Sequence, residues 1–88
     1  MTAARFRDRV REWREEVKGM IKELAAIHKE VMSFRDRSAS LVALPDGVRR
    51  LVEDLRFGLE DSCKRLHAVD YVLTQLIALV EFVDMETR

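Results

Sequence analysis

The chain has 88 residues, 48% of them hydrophobic and 36% charged, with one proline, three glycines and one cysteine. That composition describes one small domain, or a piece of a longer protein, and a chain this short buries too little surface to be comfortable as an unstapled monomer. Sixteen basic and sixteen acidic side chains cancel, which argues against a general polyanion binder, and the lone Cys63 cannot close an internal disulfide.

The opening "MTAARFRDRVREWREE" is dense in arginine from the start, so it does not read as a secretory signal. From there Phe6, Val10, Trp13, Val17, Met20, Leu24, Ile27, Val31 and Phe34 follow an unbroken 4-3-4-3 spacing, which predicts a first helix over about residues 3 to 37. The arginines Arg5, Arg7, Arg9, Arg11 and Arg14, with Phe6 and Trp13 among them, suggest a nucleic-acid arm at first sight. Both aromatics occupy the heptad stripe, however, and Asp8, Glu12, Glu15 and Glu16 dilute the charge, so a solvated helix face is the better reading.

The stretch "RSASLVALPDGV" breaks the pattern, with Pro45 disfavouring helix at Leu44 and Asp46 placed to cap a second helix. Beyond it Val48, Val52, Leu55, Leu59, Ser62, Leu66, Val69, Leu73, Leu76, Val80 and Val83 repeat the same spacing, predicting that helix over about residues 47 to 86. A connection of about nine residues lets the second helix fold back antiparallel on the first. Charge supports that orientation. Residues 1–38 carry ten basic against seven acidic side chains and residues 46–88 carry six against nine, so the ends attract. Gly19 and Gly58 lie inside the helical runs, each costing about 1 kcal/mol against alanine, and are candidate points of bending or close helix approach.

The segment "LHAVDYVLTQLIALVEFV", Leu66 to Val83, is apolar on nearly every side. Its longest uncharged run, Tyr71 to Val80, is ten residues where a membrane span needs about 20, so a soluble, cytosolic protein is expected. One a/d stripe is covered by the first helix, leaving Tyr71, Val72, Ile77, Leu79 and Phe82 to be covered by something else. The expectation is an all-α antiparallel hairpin that forms a homodimer, a four-helix bundle, with those five residues at the dimer interface; a third helix missing from a fragment is the alternative.

No catalytic or cofactor pattern is present in the sequence: His28 and His67 lack paired metal-ligand spacing, and no phosphate loop, nucleophile elbow or second cysteine occurs. An enzyme, a metal site, a cofactor and a small-molecule substrate are therefore not expected. The segment "RRLVEDLRFGLEDSCKR", Arg49 to Arg65, carries both signs along one face, as either a plain solvated surface or a protein-recognition surface would.

The stretch "IKELAAIHKEVMSFRDRSAS", Ile21 to Ser40, resembles the close of the first helix in the C-terminal, brand-new BAG domain of the type 2 BAG-family molecular chaperone regulators. The resemblance continues through Pro45 and "LEDSCKRL", Leu59 to Leu66, and along the apolar last helix, covering about three quarters of the chain. It implies a dimeric cochaperone that binds the nucleotide-binding domain of the 70-kDa heat-shock chaperone and promotes ADP release. On the same resemblance Glu53, Arg56, Glu60, Asp61, Lys64 and Arg65 are the expected chaperone contacts. Ordinary three-helix BAG domains place a glutamine about two turns after an arginine on the last helix, whereas Val72 and Leu73 stand there in this chain. The competing reading is a structural coiled-coil subunit of a larger assembly.

Overall fold

The computed structural model describes residues 2–41 and 44–86. Helix α1 is Ala3–Leu41 and helix α2 is Asp46–Glu86, and no strand occurs among the described residues. Thr2 starts α1: its hydroxyl accepts from the Arg5 amide at 3.3 Å and its carbonyl from the Phe6 amide at 3.1 Å, satisfying two of the amides a helix start leaves orphaned. The Pro45 carbonyl accepts the Arg49 amide at 3.0 Å and so begins α2. Asp46, expected as the cap, instead lies in the first turn, where its carboxylate faces the positive end of the helix dipole.

α1 runs four residues beyond the expected end, because "SAS" contains no strict helix breaker and Pro45 is the first residue that enforces one. Neither Gly19 nor Gly58 marks a close approach within the chain, since nothing lies within 4 Å of a Cβ added at either.

The chain divides into two units, each an antiparallel pair of helical stretches: Met1–Ile21 with Leu66–Arg88, and Lys22–Arg65. In the first, Arg14 Nε donates to Asp70 Oδ1 at 3.2 Å and Arg11 pairs with Glu81. In the second, Arg35 Nη1 donates to Glu53 Oε1 at 3.1 Å and His28 Nε2 lies 3.3 Å from Glu60 Oε1. These links fix the direction and level of one helix against the other, forming the expected hairpin.

The packed seam is not the expected one. On α1, Val10, Val17, Leu24 and Val31 turn inward as predicted, but the companion row is Arg14, Ile21, His28 and Arg35. Trp13, Met20, Ile27 and Phe34, the other predicted row, are 39–48% exposed. On α2 the inward rows are Val52, Leu59, Leu66, Leu73 and Val80, with Arg56, Cys63, Asp70 and Ile77 beside them. Val48, Leu55 and Val69 are left exposed.

One partner helix covers about two rows. Of the three rows that invite burial, the two that face the partner helix include the one that carries the cross-helix ion pairs. Among the described residues only Val10, at 0% exposure, and Leu59, at 7%, are buried.

Candidate interaction surfaces

In the Lys22–Arg65 unit the polar flank is a chain of charges. Arg56 donates from Nε and Nη2 to Glu53 Oε2 at 3.0 and 2.8 Å, and from Nη1 to Glu60 Oε1 at 3.2 Å, while Arg35 and His28 reach the same two carboxylates from α1. Arg56 Nε and Nη2 share one carboxylate oxygen, so the fork is fixed in place rather than swinging in solvent. The Arg56 hydrogen bond, and after it the Arg35 hydrogen bond, holds the Glu53 carboxyl below the usual glutamate range, and Glu53 in turn raises Arg56. Glu53, Arg56 and Glu60, three of the six expected chaperone contacts, are thereby engaged with α1 and with each other.

A folded-state pKa depressed below the ordinary value of 4.5 means that Glu53 adds stability which is present above that value. The contribution is lost as pH falls through the depressed folded value. Glu53→Gln is therefore expected to flatten the acid side of a stability–pH profile measured by urea midpoint. An unchanged slope below pH 4.5 would assign the acid sensitivity to other carboxylates.

The other three expected contacts face outward. Arg65 Nε meets Asp61 Oδ2 at 3.1 Å one turn apart, with 81% and 60% of their side chains exposed, and Lys64 is exposed beside them. Phe57, also exposed, stands one turn earlier with the Arg56 guanidinium 4.4 Å from its ring centroid. Sequence reasoning overlooked Phe57, although an aromatic one turn before a charged patch of both signs is a recognisable anchor.

In the Met1–Ile21 with Leu66–Arg88 unit the surface is apolar. Of the five residues expected at a dimer interface, Ile77 is half-buried on the inward seam, Val72 and Leu79 are exposed on the flank beside Val69 and Leu76, and Tyr71 and Phe82 point away from α1. Trp13 is held on the same flank by an edge-on contact with Phe6, centroids 6.4 Å apart, and by Arg9, whose guanidinium lies 5.7 Å from the indole centroid. Phe6, Leu79, Val80 and Val83 line an open apolar groove.

Cys63 is half-buried and reduced, and no group of three His, Cys, Asp or Glu side chains is placed to hold a metal among the described residues. α2 contains an 18-residue window of mean hydropathy 1.5, so the segment Asp46–Val83 is by length and composition apolar enough to cross a membrane. The ten-residue uncharged run understates this because the apolar stretch continues past isolated acids, Asp70 and Glu81. Comparison with family models, with curated protein sequences and with solved structures gives no match for this chain.

Proposed function

We propose that this chain is a helical docking domain that works as a dimeric cytosolic cochaperone, binding the nucleotide-binding domain of the 70-kDa heat-shock chaperone and promoting ADP release. The observation that carries the reading is the outward patch of Phe57, Asp61, Lys64 and Arg65, an aromatic anchor beside exposed charges of both signs, within the segment that resembles the BAG-family domain. Charges of both signs pair with a fixed lobe in one register, and an aromatic supplies contact area at small entropy cost. The domain makes and breaks no bond. It binds the open form of the nucleotide cleft better than the closed form, and that difference in affinity is what lowers the affinity for ADP.

The double exchange Asp61→Arg with Arg65→Asp keeps an intrahelical pair, at a loss of tenths of a kcal/mol because the acid no longer comes first, and exchanges the positions of the two charges without changing the net charge of the patch. It is expected to reduce stimulation of ADP release at least ~tenfold with helicity unchanged. Unchanged stimulation removes this patch from the contact.

A second reading, a structural subunit of a larger assembly, is favoured by the small number of buried side chains among the described residues, which leaves much apolar surface for another chain to cover. Retention on the immobilised chaperone domain without ATP and release with ATP supports the first reading. No retention in either condition supports the second.

A further inference from the structure

We propose that a second copy of the chain covers the Trp13 flank of the unit Met1–Ile21 with Leu66–Arg88, about a two-fold axis that crosses the helices at the level of Trp13 and Leu76. The inference rests on the dimeric reading above and specifies the face and the symmetry of the contact.

The chain exposes 6963 Å², whereas a compact chain of 10.3 kDa exposes about 5,400 Å². That excess, roughly 1,600 Å² over the whole chain, leaves room for one flank of this unit to give the ~800 Å² per copy that a standard interface needs. A second copy supplies that area without any other component.

The pattern of residues supplies the symmetry. On α1, Phe6, Trp13 and Met20 recur every seven residues, centred on Trp13; on α2, Val69, Leu76 and Val83 do the same, centred on Leu76. The pairs Arg11 with Glu81 and Arg14 with Asp70 set residues 11–14 of α1 across from 70–81 of α2, so the two centres share a level. Rotation by a half-turn at that level returns each row onto itself reversed, bringing Val72 against the partner's Leu79.

Arg9, which pairs with Glu12 within α1, and Glu16 border the same flank, four residues before and three after Trp13 and opposite in sign, so the rotation brings Arg9 near Glu16 of the partner subunit. An interface of this kind is self-complementary by construction. The alternative stacking, α1 on the partner's α2, would press Arg9 and Glu16 onto the apolar edge of Val72 and Leu79 and strip them of water. The open groove beside Phe6 and Leu79 gives an incoming apolar side chain a seat.

Three measurements on the full chain decide it. Sedimentation at roughly 10 µM is expected to give the dimer mass. In a Cys63→Ser background, Trp13→Cys is expected to form a covalent dimer on mild oxidation, and Leu76→Cys, at the same level on the other helix, to do the same should Trp13→Cys fold poorly. Phe82→Cys, on the outward face, is expected to stay monomeric on denaturing gels. A dimer that crosslinks through Phe82→Cys and through neither of the others overturns the face while leaving the dimeric reading intact. A helical monomer overturns both and leaves the flank to a different protein. Neither result bears on ADP release, which is read through the other unit.

Discussion

Val10→Asp is expected to remove about 3–5 kcal/mol of stability, much of what a domain of this size possesses. Val10 has 0% exposure and is the most deeply buried side chain described. The substitution deletes its apolar burial and places a carboxylate where water does not reach. The neighbouring arginines limit the loss, since Arg7 and Arg14 lie three residues before and four after it and are both partly buried. For the same reason Val10→Lys is expected to be worse than Val10→Asp, because it sets a third cation between them. Urea denaturation followed by circular dichroism measures both. An aspartate variant within about 1 kcal/mol of the parent would show that the α1–α2 seam is not what holds this unit together.

The two helices were legible because the 4-3-4-3 spacing is long and Pro45 interrupts it once. The end of α1 was not, since Ser38, Ala39 and Ser40 are permissive rather than breaking, and the helix continues to Leu41. The seam was misread for a physical reason. Heptad reading assigns every apolar a/d residue to the core, but a single partner covers two rows, and Arg14, His28 and Arg35 bring their long side chains inward to meet Asp70, Glu60 and Glu53. Trp13, Met20, Ile27 and Phe34 are left outside. In the Met1–Ile21 with Leu66–Arg88 unit, the exposure of Trp13 and Met20 moves the proposed association surface from Tyr71, Ile77 and Phe82 to the flank that holds Val72 and Leu79.

The six residues expected to meet a chaperone divide along the same line. Glu53, Arg56 and Glu60 stand three and four residues apart, the spacing of intrahelical pairs, and the basic residues of α1 lie opposite them in a hairpin. Both facts are present in the sequence once an antiparallel level is assigned. That level, however, depends on a connection whose residues 42 and 43 lie outside the described structure. Asp61, Lys64 and Arg65 are exposed, and among the described residues the ion pair there is the one between Asp61 and Arg65, both on α2.

Leu59→Ala is expected to cost about 2–4 kcal/mol, the loss from a buried leucine whose surroundings close only partly. Leu59, at 7% exposure, is the buried residue of the Lys22–Arg65 unit, and Arg56, Glu60 and Cys63 flank it on α2. Truncation admits water beneath the Arg56 fork and weakens the charge chain by raising its local dielectric constant, so loss of packing and loss of ion-pair strength add. Leu59→Met keeps the volume and is expected to cost under ~1.5 kcal/mol. Self-association provides the contrast. Leu59 belongs to the unit that does not carry the proposed Trp13 contact, so native-state sedimentation of Leu59→Ala should match the parent even as its urea midpoint falls. A fall in both together would mean that the hairpin folds and dimerises as one cooperative step, with the second copy acting as part of each chain's core.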